Sequence, residues 1–354
     1  MRIVDYIIVG QGLAGSAVAI QLLTRGKKIV VIDESENNSS SRVAAGLFNP
    51  VTGKKMVKTW MADTVFPYLH NFYTNAEKIT GEKFFFPMPL YRPFVSVEEQ
   101  NEWMGRSADP LFAPYIEKIF SSPAFAQVKD SFGGLLLRQC GYLNTTRYVD
   151  AVRQWILKEA TLLTEPLRDE ELIVKDDRVI YRDIEASKII FCNGTRINAW
   201  FNWLPIRPLK GETILVRTAF EENIIVNRGV YIVPGLQRGE WRIGATYNFQ
   251  DKAPGITPEA RTELEEKLNE LMNIQYQCIS QEWGFRPTTP DRRPLLGSHP
   301  EHPAVIIFNG FGTKGVSLTP YFSDVLIRWM ENDTPLNKLV DIERYKSVYW
   351  TSPK

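Results

Sequence analysis

The order of apolar segments along this chain predicts an α/β protein. A doubly wound, mostly parallel sheet is assembled from separated stretches and carries an inserted, mainly antiparallel domain. Three observations predict this. A β-branched apolar run, a glycine-rich turn and an apolar helix pattern open the chain and lead to a second apolar run, the beginning of a βαβ unit. Short alternating runs, the pattern of antiparallel strands, are concentrated after residue 206. A third buried-type strand and a second glycine loop then return near the C-terminus.

Residues 3–9 read as a buried strand, residues 14–24 as a helix closed by Gly26, and residues 28–32 as a second buried strand ending in Asp33-Glu34. Residues 37–41 form a polar loop. Residues 84–135 are rich in aromatic residues and proline without a clear period, and the aromatic residues of 84–103 read mostly as core, with some placed to line or cover a pocket. A helix pattern returns within 141–160, capped by Asn144 or Thr145, with Val149, Val152, Ile156 and Leu157 at helical spacing. Residues 188–192 are another short buried strand, followed by the Asn193-Gly194 turn. Alternating runs at 213–217, 230–233 and 242–245 read as antiparallel strands. Thr257-Pro258 opens a helix with a good cap and proline at its first position, and its apolar stripe is Leu264, Leu268, Leu271 and Met272. Residues 305–308 are a strand. The loop Gly310-Phe-Gly-Thr-Lys-Gly315 leads from it into a last helix ending near Met330. The expected domains are 1–83, 141–205 and 284–354 for the parallel part, and 84–140 with 206–283 for the insertion.

Composition narrows the function classes. The chain has 354 residues and a net charge of +1, so a nucleic-acid footprint is not its main design. No apolar run reaches the ~20 residues of a membrane-spanning helix. Met1-Arg2 leads straight into a strand, which reads as no signal peptide. Cys140, Cys192 and Cys278 lack metal or disulfide spacing and read as reduced thiols of a cytoplasmic protein. Two of the three histidines, His299 and His302, share a proline-flanked turn, so a metal site is not expected.

The strongest local motif is Gly10-Gln-Gly12-Leu13-Ala14-Gly15, set between strand and helix. Gly10 allows the tight turn, Gly12 lets backbone approach a diphosphate, and Gly15 lets helix pack on strand. The helix N-terminus, at Leu13 and Ala14, offers N–H groups and partial positive charge to phosphate. Asp33 lies 18 residues after Gly15 and is placed to accept from a ribose. This is a Rossmann-like dinucleotide site, and both NAD and FAD fit it. Dehydrogenases of alcohols often use a histidine or a metal for proton transfer; the scarcity of histidine favours the flavin.

Five segments, spread from end to end, together resemble the D-amino-acid oxidase, glycine oxidase and sarcosine oxidase family of FAD-dependent enzymes, with glycine oxidase the nearest likeness. They are the first glycine loop; Arg42-Val-Ala-Ala45-Gly46-Leu-Phe-Asn49-Pro50; Pro208-Leu-Lys-Gly211; Tyr231-Ile-Val-Pro234 with Arg242-Ile-Gly-Ala-Thr246; and Trp283-Gly-Phe-Arg286-Pro-Thr-Thr-Pro-Asp-Arg-Arg-Pro-Leu-Leu-Gly297 followed by the loop Asn309 to Pro320. The resemblance implies a Rossmann-like FAD-binding domain with an inserted substrate domain. It also implies oxidation of the C–N bond of a small amino acid or secondary amine, by hydride transfer from Cα to flavin N5. Flavin contacts are implied for Gly10, Gly12, Leu13, Ala14, Gly15, Asp33, Glu34, Arg42, Ala45, Gly46, Asn49 and Gly194, and for Gly310, Gly312, Lys314, Gly315 and Val316 at the start of the last helix.

Arg286 stands at the family's carboxylate-binding position, since a guanidinium binds both carboxylate oxygens at once; an ion pair to Asp291 is the ordinary alternative. Tyr231 matches a tyrosine near the same carboxylate, or is an ordinary strand tyrosine. Thr313 departs from the arginine of glycine oxidase, which sets glycine itself aside as the obvious substrate. Lys314, one residue later, contacts the flavin, meets a larger acidic substrate or is solvated. Gly284 occupies the place where sarcosine oxidases attach flavin to cysteine, so noncovalent FAD is expected. The electron acceptor is oxygen or another oxidant, and the oligomeric state is open. A tRNA-modifying flavoenzyme, oxidising a carboxymethylaminomethyl group on wobble uridine, is the alternative from the same family. Lys54, Lys55 and Lys58 give it a small basic cluster, although such a cluster is ordinarily a solvated face. A binding module with a structural flavin is a third reading.

Overall fold

The computed structural model describes residues 1–35, 39–53, 55–196 and 198–351. Two eight-stranded sheets organise it. In the first, the strands Thr161–Leu163, Ile29–Ile32, Arg2–Val9, Ile184–Phe191 and Val305–Asn309 run parallel in that spatial order. Every residue of Ile29–Ile32 and Val305–Asn309 is buried, as expected of strands covered on both faces. Leu172–Val174, Val179–Tyr181 and Leu295–Ser298 extend the sheet antiparallel. Ile184–Phe191 changes neighbour midway, pairing with Val179–Tyr181 through its first half and with Val305–Asn309 through its last.

Side-chain alternation divides the core. Tyr6 and Ile8 point into a cluster with the helices Leu13–Leu23, Ala62–Thr80, Thr145–Glu159 and Gly315–Asn332. Ile7 and Val9 point to the opposite face, which Phe201, Trp203, Leu204 and Ile342 cover. Leu13–Leu23 is almost wholly buried, so its sequence shows an apolar helix with little amphipathic contrast. The cap of Thr145–Glu159 is Asn144, whose Oδ1 accepts from the Arg147 N–H at 3.1 Å.

The second sheet runs Tyr276–Thr288, Arg207–Thr218, Glu240–Gly244, Val230–Pro234, Ile225–Arg228, Leu90–Pro93, Gly134–Leu137, Ile116–Phe120. It is antiparallel except between Ile225–Arg228 and Leu90–Pro93. One face carries Ile214, Val216, Ile232 and Ile243, on which Leu264, Leu268 and Leu271 of the helix Pro258–Leu271 pack. Each such leucine contributes about 1.5–3 kcal/mol of burial. The helix is capped as its sequence predicts, with Thr257 Oγ1 accepting from the Ala260 N–H at 3.3 Å. The other face turns toward the first sheet and forms one wall of the site.

Several features differ from the sequence reading. Ala62–Thr80, a 19-residue helix, was not anticipated. Its buried stripe of Val65, Phe66, Leu69, Phe72, Tyr73 and Ala76 has helical period, but Pro67 and the interspersed aromatic residues mask it. The aperiodic stretch 84–135 resolves into short strands and the helix Val97–Arg106, because short strands in tight succession leave no period to read. Phe84, Phe85, Tyr91 and Trp103 are core. The strand Tyr276–Thr288 runs on through 284, and Phe85–Pro87 pairs with Gly141–Leu143 outside the second sheet. Part of the polar loop 37–41 lies outside the described residues.

Candidate active site

Two clefts of about 380 and 560 Å³ run together at the C-terminal ends of the parallel strands. They share Gly12, Ser40, Ser41, Cys192 and Gly194, so they form one trough. This is where open parallel sheets hold ligands.

The first glycine loop shapes the trough floor. Gly10 has φ +95°, and a Cβ there would stand 2.8 Å from the Cys192 carbonyl oxygen. A Cβ on Gly15 would overlap the Gly10 carbonyl, so Gly15 is a packing residue behind the wall. Helix Leu13–Leu23 has no side-chain cap at Gly12 and no acidic residue in its first turn. Ser41 Oγ accepts from the Leu13 N–H at 3.0 Å, bringing a hydroxyl to the place where a diphosphate oxygen would be bound.

Gly10, Asp33, Glu34 and Arg42 line the far end of the trough. Asp33 accepts from the Gln11 N–H at 2.8 Å, from the Ser35 N–H at 3.0 Å and from Arg153 Nη1 at 3.0 Å. A carboxylate has about four acceptor sites; fastening the loop leaves Asp33 about one for a ribose hydroxyl. Glu34 pairs with Arg196, and Arg42 with Asp150 at 2.6 Å.

The near end gathers Leu13, Ala14, Ala45, Gly46, Asn49 and Gly194 against Gly312, Lys314, Gly315 and Val316 of the second glycine loop. Gly310 is not on this wall. It sits behind, at φ +77°, against Thr289 and Leu295. Asn309 ties the two turns together, donating from Nδ2 to the Gly194 carbonyl and accepting from the Gly310 N–H, both at 2.8 Å. The helix Gly315–Asn332 has no side-chain cap and no acidic residue in its first turn, so its positive end is free to face negative charge. Lys314 is half-buried, and that burial pushes its ammonium down to about 8.

The opposite wall is the second sheet. Asn227, Tyr231, Gly244, Thr213 and Glu282 are successive cross-strand partners, one row across its face. Arg286 lies farther along, with its guanidinium over Gly211, where any Cβ would collide with it. A Cβ on Gly244 would stand 2.5 Å from the Tyr231 hydroxyl. The two glycines therefore clear space for the two side chains that the sequence singled out. No carboxylate pairs with Arg286 among the described residues, and its nearest acceptor is the Thr246 carbonyl at 3.4 Å. Asp291, the partner in the alternative reading, instead binds Arg344 at 3.0 Å, because the turn after Thr288 carries it toward the C-terminal segment. Burial raises the Tyr231 hydroxyl above its ordinary value, with Arg286 and Arg242 opposing, so it remains protonated and can donate.

A profile described as FAD dependent oxidoreductase matches residues 5–329. The chain belongs to this DAO family. It is therefore an FAD-dependent oxidoreductase. Among its relatives, the bifunctional protein ThiO/ThiG of Trichormus variabilis is 24% identical over 99% of this chain and 56% of its own length. The tRNA 5-methylaminomethyl-2-thiouridine biosynthesis bifunctional protein MnmC of Legionella pneumophila is 22% identical over 98% of this chain and 56% of its own. The chain thus spans about half the length of the curated relatives it matches. The crystal structure of glycine oxidase from Geobacillus kaustophilus has the same fold, with TM-score 0.76, 18% identity and 98% of each chain covered. The α/β architecture expected from the sequence is that of this DAO family member.

FAD fits the trough on this chain's own geometry. A glycine cradle that side chains would fill stands at one end, and two helix N-termini without acid or side-chain cap open along it. Sequence reasoning assigned no role to Ser41, Arg153, Gly211, Gly244 or Asn227. The glycines at 211 and 244 carried a signal, since glycine inside a strand marks close approach of another group. Of the lysine cluster, Lys58 is bound to Asp63 at 2.6 Å, and Lys54 lies outside the described residues. No helix is long and apolar enough to cross a membrane among the described residues.

Proposed function

We propose that this flavoenzyme oxidises the C–N bond of a small amino acid or secondary amine, with Arg286 and Tyr231 holding the substrate carboxylate. The observation that carries this reading is a part-buried guanidinium without an acidic partner among the described residues, set over a glycine and facing the trough. An always-charged fork in that position suits a carboxylate, which it binds through two parallel hydrogen bonds. Tyr231 adds a neutral donor from the same wall. Anchoring the carboxylate there fixes Cα between the sheet and the first-domain loops. Bound FAD supplies the acceptor for the hydride equivalents that leave Cα. The N–H groups and positive end of helix Gly315–Asn332, with Lys314 beside them, stabilise negative charge developing at that end of the trough.

We also infer that FAD is held noncovalently. Gly284 offers no attaching side chain, and burial of the Cys192 thiol raises its pKa and keeps it protonated. The same reasoning supports a two-domain division, with the parallel sheet carrying the flavin and the antiparallel sheet the substrate. The tRNA reading draws on the similarity to MnmC, but Lys58 of its basic cluster is neutralised by Asp63. An anaerobic screen tests the proposal. The purified yellow protein is mixed with glycine, sarcosine, D-amino acids and proline, and bleaching is expected with at least one. A flavin that stays oxidised with every amine and amino acid would defeat the reading.

A further inference from the structure

The sheet wall of the trough continues past Gly244 into a segment that keeps its pairing with the strand Arg207–Thr218. The Thr246 N–H donates to the Glu212 carbonyl at 3.1 Å, and the backbones of Lys210 and Asn248 exchange two hydrogen bonds of 3.0 Å. Thr246 turns away from the trough. It is buried, and its hydroxyl accepts from the Glu212 N–H at 2.8 Å. Tyr247, the next residue, faces the other way and lines the trough together with Gly211 and Arg286. Arg286 Nη1 reaches the Thr246 carbonyl at 3.4 Å, so the guanidinium lies against the segment that carries Tyr247.

Tyr247 and Phe249 are 53% and 47% exposed. Their rings meet edge to face, with centroids 5.6 Å apart and planes at 79°. Neither ring belongs to the apolar clusters that form the core among the described residues. The backbone under them is nevertheless fastened. Asn248 Oδ1 accepts from the N–H groups of Gln250 at 2.8 Å and Asp251 at 3.0 Å, and Asp251 binds the buried Lys210 ammonium at 2.6 Å. Tyr247 thus lines the trough and meets solvent at once, which places it at the rim. Aromatic rings on a fixed backbone offer a large contact area at little cost in ordering, as a binding surface requires. Across the trough the second glycine loop presents Gly312 and Thr313, neither bulky enough to fill the space above the rings.

We propose that Tyr247 and Phe249 form a subsite for a flat aromatic group, so that the preferred substrate is an amino acid or N-substituted amino acid carrying such a ring on a short linker. The subsite rests on the carboxylate role of Arg286. A carboxylate held by that guanidinium leaves the remainder of the substrate beside Tyr247, where a ring buries apolar area and gains the attraction of offset or edge-to-face contact.

The test uses the FAD-loaded protein and thioether acids, in which sulfur replaces the oxidisable nitrogen. (Methylthio)acetate, (cyclohexylmethylthio)acetate and (benzylthio)acetate are titrated against the flavin absorbance. The benzyl acid is expected to bind about tenfold or more tighter than the methyl acid, from buried area, and about threefold tighter than the cyclohexylmethyl acid, from ring–ring attraction. The benzyl-to-methyl ratio should fall about fivefold or more in Tyr247→Leu and be kept in Tyr247→Phe, which retains the ring. Tyr247 is exposed, so both variants leave the core untouched, and an unchanged flavin-to-protein ratio shows it. Equal affinities for the three acids, a preference for the cyclohexylmethyl acid, or a ratio that survives in Tyr247→Leu would overturn the subsite while the Arg286 reading stands. Failure of all three acids to bind would remove the Arg286 reading and the subsite with it. A tRNA anticodon stem-loop that displaces the methyl acid, with no gain for the benzyl acid, would overturn the proposal in favour of a polynucleotide.

Discussion

In the proposed function, the two walls of the trough recognise their ligands by different means. The wall under the parallel strands works with backbone: glycine turns at 10–15 and 310–315, and the N-termini of helices Leu13–Leu23 and Gly315–Asn332. The wall on the antiparallel sheet works with side chains, Arg286 and Tyr231, each standing in a space left by a glycine on a neighbouring strand. The first kind of wall tolerates little variation, because a Cβ in the wrong place fills the site. The second is adaptable, because changing one long side chain alters the ligand and spares the fold. The same cofactor chemistry can thus be kept while substrates differ.

That contrast can be broken most forcefully at Gly15. Gly15→Val sets a branched side chain against the Gly10 carbonyl, and the expected product is colourless or insoluble protein, read from the flavin-to-protein absorbance ratio. Retained flavin at normal stoichiometry would show that the cradle is not needed. Arg286→Ala should act on the other wall alone: KM rises 10-fold or more, from the loss of about 1.5–3 kcal/mol per charge-assisted bond, while flavin content is unchanged. Unchanged kinetics would remove Arg286 from the carboxylate. Gly211→Ala should reproduce part of that defect with Arg286 intact, by pushing the guanidinium aside, and a several-fold rise in KM at full flavin content would show it. Tyr231→Phe removes one neutral donor and should cost about 1 kcal/mol, a fewfold change in KM.

The smallest effect concerns Lys314. Its folded pKa of about 8 lies below its ordinary 10.5, so between those values the unfolded chain binds more protons than the folded one. Stability of the FAD-free protein should therefore rise with pH through that window, and the burden of the buried charge is greatest below pH 8. Lys314→Met should flatten this part of the stability–pH curve relative to the parent, measured by thermal melts. Superimposable curves would show that Lys314 is solvated.

Legibility in the sequence follows the same division. The first βαβ unit, its glycine loop and the capped helix at Thr257 were readable because their determinants are local: period, cap and turn residue within a few positions. The helix Ala62–Thr80 was not, since Pro67 and mixed aromatic spacing blur a stripe that only its packing on helix Gly315–Asn332 makes plain. Arg286 and Tyr231 stand out only through the longer segments that carry the family resemblance. The reason for Gly211 and Gly244 inside those segments was invisible, because each makes room for a residue far away in the chain.

The sequence alone determined the elements that rest on neighbouring residues: the strands, the glycine turns and the dinucleotide cradle. Tertiary structure alone decided which partner each charge received. Asp291 went to Arg344, which left Arg286 facing the cleft. Strand pairing brings together residues dozens of positions apart, and electrostatic partnership depends on distance in space, which no local pattern encodes.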